Sequence, residues 1–314
     1  MKVNGVCKEP NPCSGGFDLG ILVQSSKRAT EKDFEREKNA ISEMIGRLNV
    51  GLDKVHVGYL YYSHRTRRTA TLTRKEQSNK KTYFIERAQK LPYIPFYTTP
   101  LGYALAQSSE QIFNSRRDTY VPRVAVLFNE GSSTEDLSYI TNQANNLKSQ
   151  GVEIFAVSIG NESNDQQLRS IVSSPSNLIK VDSHEFIFEK LTEITHKICS
   201  VNIPVYLDRV ENILTGKYDY RYFKLDLTGL RSDIIQIEIE EKTGYSVVFH
   251  SFEEKNPTFE NSKSFYKKSS MKSEKVITDS YITIVPPGAT TLYFTIEGIG
   301  EINELNLLAQ NIIF

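Results

Sequence analysis

The sequence predicts a doubly wound α/β domain with a mainly parallel sheet, followed by an antiparallel β-sandwich. Three observations carry this. Between residues 17 and 199 short apolar runs alternate with stretches of helical period, as they must when helices cover both faces of a parallel sheet. After Cys199 the helical period stops and alternation with period two replaces it. Turn signals then recur at short intervals (LRSD, KTG, NPT, VPPG, EGIG), as a sandwich of short strands requires.

The first strand is expected at 19–23, followed by parallel strands at 55–62, 124–128, 152–159 and 178–181. A strand at 69–73, reached by a short turn, should run antiparallel. Helix starts are marked by Thr30 with Asp33 and by Ser133 with Asp136 at capping-box spacing, and by Thr99 as N-cap ahead of Pro100. One helix shows its core face as Leu137, Ile140, Ala144 and Leu147, with Gly151 placed to terminate it; the last does so as Ile187, Leu191, Ile194 and Ile198. Residues 1–16 read as an N-terminal extension, 17–199 as the α/β domain, 200–206 as an extended linker and 207–314 as the sandwich. In the sandwich the alternating sets are Phe223, Leu225 and Leu227; Ile235, Ile237 and Ile239; Tyr245, Val247 and Phe249; Ile282 and Ile284; Leu292, Phe294 and Ile296; and Leu305 and Leu307. The Ser- and Lys-rich stretch 261–275 reads as a solvated loop.

A chain of 314 residues with 39% hydrophobic content can bury a substantial core. Thirty-eight basic and thirty-eight acidic residues cancel, so no global field draws the molecule to nucleic acid or an anionic membrane. No apolar run approaches the roughly 20 residues needed to span a bilayer, and MKVNGV lacks the apolar core of a signal peptide. A soluble chain is expected, and a mature secreted one behind an added Met would read the same way.

Three loops at the upper ends of the parallel strands have unusual content: QSSKR at 24–28, YTTPLGYAL at 97–105 and FNEGSS at 128–133. The order of these segments resembles a von Willebrand factor A domain over about three fifths of the chain. The opening CSGGFDL from Cys13 and the closing HKIC to Cys199 are similar to the anthrax toxin receptor branch, which implies a Cys13–Cys199 disulfide and leaves Cys7 free or available to link chains. The resemblance also implies a divalent cation held by oxygen donors of the three loops. On this chain those positions fall on Gln24, Ser26, Arg28, Thr99 and Glu130, so only Ser26 and Thr99 match the pattern. A neutral amide and a permanent guanidinium suit a hard cation poorly, which predicts no metal and no cofactor here. Arg28 either points into solvent or replaces the cation by pairing with Glu130 and donating to Thr99, with Lys27 a weaker candidate for that role.

The segment 64–81 carries seven basic residues, Arg65, Arg67, Arg68, Arg74, Lys75, Lys80 and Lys81, against one Glu. It reads either as an edge hairpin guarded by charge or as a docking site for a sulfated polysaccharide or an acidic protein. The five histidines, at 56, 64, 184, 196 and 250, show no ligand spacing, and no nucleophile elbow, phosphate loop or dinucleotide fingerprint occurs, so no zinc site and no enzyme are expected. Asn161 opens an Asn-Glu-Ser acceptor for N-glycosylation. The final third resembles, on turn order alone, the small sandwich that follows many secreted bacterial peptidases. Together these features predict a secreted or cell-surface adhesion protein binding a protein or polyanionic matrix ligand. Against it stand a carbohydrate-binding module reading sugars with Tyr266 and Asn256, and a non-catalytic part of a larger secreted enzyme.

Overall fold

The computed structural model describes residues 16–51, 54–70, 72, 80–114, 121–216, 220–262, 264–267, 277–300 and 302–313. Its first compact unit is Gly16–Val201; the second is built on Asn202–Phe314.

The first unit runs β1 (Asp18–Gln24), α1 (Glu31–Arg47), β2 (His56–Tyr62), β3 (Thr66–Ala70), α2 (Lys81–Gln89), α3 (Leu101–Gln111), β4 (Arg123–Asn129), α4 (Leu137–Ser149), β5 (Val152–Ile159), α5 (Asp165–Ile171), β6 (Leu178–Val181) and α6 (Ile187–Cys199). The strands form one sheet in the order β3-β2-β1-β4-β5-β6. All neighbours are parallel except β2 and β3. Every residue of β1, β2 and β4 is buried, which explains why these strands are near-continuous apolar runs. The expected antiparallel strand begins three residues earlier than its apolar content suggests.

Thr30 caps α1 as expected, its Oγ1 accepting the Asp33 N–H at 3.1 Å, and Gly151 closes α4 with φ of 77°. Two other helix starts differ. Asp136, not Ser133, stands at the N-cap of α4, because the Ser133 hydroxyl is taken by the Thr99 carbonyl at 2.6 Å. Pro100 rather than Thr99 precedes α3, whose first N–H groups are met by the Glu135 carboxylate, from Gly102 at 2.5 Å and Tyr103 at 3.2 Å. A charged acceptor from a neighbouring loop does what a local hydroxyl would otherwise do.

The second unit contains β7 (Ile203–Val205), β8 (Val210–Gly216), β9 (Tyr220–Asp226), β10 (Ile234–Thr243), β11 (Ser246–Ser251), β12 (Ser264–Lys267), β13 (Ile277–Ile284), β14 (Thr291–Gly298) and β15 (Ile302–Asn311). They form two sheets, ordered β13-β10-β15-β8 and β12-β11-β14-β9-β7. Phe223, Leu225, Ile235, Ile237, Phe294 and Leu305 belong to the core between them. Three expectations are corrected here. Residues 203–205 are not linker but pair in parallel with β9, and β12 forms within 261–275, where a solvated loop is expected. Ile282 and Ile284 face outward, because the β13 register sets Tyr281 opposite buried Ile237 and Ile282 opposite Gln236.

A side chain at Gly20 would meet buried Phe113, with a Cβ 2.6 Å from Cζ. Gly20→Ala should therefore cost about 1–3 kcal/mol in urea denaturation, and an unchanged midpoint would contradict this packing. His250 on β11 stacks on Tyr281 with ring centroids 5.2 Å apart, and burial lowers its pKa from 6.5 to about 4. An imidazole of this kind protonates first in the unfolded chain. The contribution of His250 to stability should therefore be flat above pH 6.5 and fall as pH drops toward 4, and His250→Gln should remove that part of the slope.

Candidate functional site

The upper rim of the first unit is organised by the end of β1. Gln24 is completely buried there, and its amide bridges two loops: Oε1 accepts the Glu130 N–H at 3.0 Å and Nε2 donates to Ser26 Oγ at 3.3 Å. Ser26 Oγ donates to Glu130 Oε2 at 3.4 Å and accepts the Arg28 N–H at 3.2 Å. Thr99 stands apart from this network, its hydroxyl donating to the Ser132 carbonyl at 3.0 Å. Gln24, Ser26 and Glu130 are thus brought together as the loop order implies.

Arg28 does not reach Glu130. Its guanidinium pairs with Glu162, and its side chain lies across Gly131, where a Cβ would overlap Cδ and Nε. Both members of that pair are substantially exposed, at 29% and 68%. The internal-cation role is therefore corrected: the positive group facing Glu130 belongs to another residue. Lys27 lies with its ammonium 4.8 Å from the Tyr97 ring centroid. The five family positions do not fit a hard divalent ion, since the amide and hydroxyl groups at Gln24 and Thr99 are committed to protein groups and the third position, Arg28, carries a guanidinium.

What faces Glu130 is His184, in a 3-10 turn between β6 and α6, with Nε2 3.1 Å from Glu130 Oε1. The same nitrogen lies 3.7 Å from Oε2 of Glu37, a carboxylate on the inner face of α1 with Phe34 and Ile41. Burial pushes the Glu37 pKa up to about 8, against the pull of His184. For His184 burial alone would lower the pKa, but the hydrogen bond to Glu130 and the neighbouring Glu37 carboxylate outweigh it and raise it to about 10. Spacing could not reveal this trio, whose members lie on three separate elements. The available signal was a Glu on the apolar face of a helix.

The other expected residues are dispersed. Arg65 is exposed, Arg67 and Arg68 fall on β3, and Arg74 and Lys75 lie outside the described residues. Lys80 is exposed ahead of α2, while Lys81 Nζ donates to the Gly46 carbonyl at 3.0 Å. Asn161 is exposed in the turn after β5. Cys199 is buried at the end of α6, whereas Cys7 and Cys13 lie outside the described residues. Asn256 accepts from Asn202 at 3.1 Å, and Tyr266 falls on β12.

A family model described as von Willebrand factor type A domain matches residues 18–197. Matrilin-1 of Gallus gallus is 33% identical over 180 residues, 55% of this chain and 35% of that protein. The Collagen alpha-4(VI) chain of Mus musculus is 30% identical over 172 residues, 54% of this chain and 7% of that one. The chain thus spans about a third of the first and a small fraction of the second. A solved von Willebrand factor type A structure from Catenulispora acidiphila superposes with a TM-score of 0.50 at 14% identity, covering 95% of this chain and 63% of that one, a likeness of fold. No helix of the described residues is long and apolar enough to cross a membrane.

The two bonding patterns at the rim predict a contrast. Arg28→Ala should change stability by less than about 1 kcal/mol, because its partner is solvated. Gln24→Leu should cost about 1–3 kcal/mol, because it leaves the Glu130 N–H and Ser26 without the bridge. Denaturant titrations that reversed the order would show that Arg28, not Gln24, holds the loops.

Proposed function

Because the chain belongs to the von Willebrand factor type A domain family, we propose that it is a non-enzymatic binding protein, secreted or held at the cell surface. In this reading its A domain recognises a protein ligand through the upper rim without Mg²⁺ or Ca²⁺ shared between the partners. The observation that carries the reading is an aromatic rim beside the internally bonded loops. Phe96 and Tyr97 are 48% and 66% exposed, on the segment leading to Thr99, and the Phe96 carbonyl accepts the Lys27 N–H at 3.0 Å. The Phe96 ring also lies 4.1 Å from that of His64. Exposed aromatic rings on a rigid base are what protein interfaces favour. The names of its relatives, matrilin and collagen, support a matrix setting.

A Cys13–Cys199 bridge belongs to the same reading. It is supported by Cys199 being disulfide-bonded, and it would leave Cys7 available to link chains. Glycosylation at Asn161 fits its exposed turn. A sulfated polysaccharide is a further candidate ligand, through the basic segment that includes Arg65, Arg67 and Arg68.

Binding of the full chain to immobilised matrix extract should survive EDTA and should fall about tenfold or more in a Phe96→Ser, Tyr97→Ser variant, since interface aromatics dominate such affinities. Loss of binding in EDTA, or unchanged binding in the variant, would refute the rim as the recognition surface. Heparin-resin elution should shift to lower salt when Arg65, Arg67 and Arg68 become Ser; coincident elution would leave the basic segment as a charged edge only.

A further inference from the structure

Glu37 is completely buried, and neither of its carboxylate oxygens accepts a hydrogen bond. Burying an ionised carboxylate that way is costly unless a cation meets it. The side chain is directed at the point where Glu130 and His184 also converge: one ligand atom from each of the three lies within 4.8 Å of the others. We propose that Glu37, Glu130 and His184 form a binding site for a transition-metal dication of the zinc class. Its residues differ from the family's oxygen-donor positions in all but Glu130, and it does not depend on the partner-binding reading.

The donor set argues for this ion. One imidazole nitrogen and two carboxylate oxygens suit Zn²⁺, whereas Mg²⁺ and Ca²⁺ require a shell of oxygens. The separations of His184 Nε2 from Glu130 Oε1 and Glu37 Oε2, 3.1 and 3.7 Å, bracket the edge of about 3.3 Å in a tetrahedron with Zn–N and Zn–O bonds near 2 Å. Binding the dication would release to solvent the protons that His184 Nε2 and Glu37 carry in the free site, and would give the Glu37 oxygens, which accept no hydrogen bond, a direct bond to a cation. Glu130 is already oriented for it, because Ser26 holds its second oxygen at 3.4 Å, the outer support that ligating carboxylates usually have. The His184 side chain, 12% exposed, provides the way in, and three protein ligands leave the fourth position for water.

The test uses the full chain stripped by chelator, then titrated with ZnCl₂, CoCl₂, MgCl₂ or CaCl₂. Zinc and cobalt should raise the melting temperature and bind with about one equivalent per chain at this site, while magnesium and calcium do neither. Glu37→Gln and His184→Gln, shown to be folded by circular dichroism, should each weaken zinc binding at least about tenfold. Failure of zinc to bind, or equal affinity in the folded variants, would overturn the site. If neither variant folds, X-ray absorption of the zinc-loaded parent decides: one imidazole with oxygen ligands supports the proposal, and sulfur or all-oxygen ligation refutes it. Aromatic-rim variants should bind zinc like the parent, so this result stands or falls apart from partner recognition.

Discussion

The double pairing of β1 is the constraint on which the upper rim depends. Flanked by parallel strands on both sides and buried along its whole length, β1 delivers Gln24 to one place at the end of the sheet. From there a single amide fixes the loop after β1 to the loop after β4. With both loops fixed, Glu130 points inward rather than up, and α1, starting at its Thr30 cap, carries Glu37 beneath it. The rim is therefore closed by hydrogen bonds inside and lined with aromatic rings outside.

Much of the first unit was legible because its signals are local. Thr30 with Asp33, the apolar runs of β1, β4 and β5, and the left-handed Gly151 each depend on a few adjacent residues. The misread helix starts depended on distant ones: Ser133 was drawn away by Thr99, and α3 was capped by Glu135 from another loop. α5, capped by Asn164, is too short for periodicity to reveal. In the second unit, β7 looked like a linker because three residues show no period. Ile282 deceived because alternation reports which residues share a face, while only the pairing with β10 determines which face is covered.

The candidate site divides the same way. Gln24, Ser26 and Glu130 could be placed because loop order maps them onto neighbouring strand ends. Arg28 could not, since a long side chain chooses among carboxylates by geometry, and no local signal in the sequence links it to Glu162 on a distant loop. Glu37 and His184 were hidden because burial, not spacing, gives them meaning. The cationic group beside Glu130 is an imidazole set between two carboxylates, while the Arg28 guanidinium stays at the loop surface.

The Gln24 bridge also decides which substitutions the rim can accept. A carboxylate at position 24 could still accept the Glu130 N–H, but it could not donate to Ser26, and it would add a third buried acid beside Glu130 and Glu37. Replacing Arg28 first would free Glu162 without creating a ligand set. Each single substitution toward the oxygen pattern that the family resemblance implies therefore either adds a buried charge or leaves the ligand set incomplete.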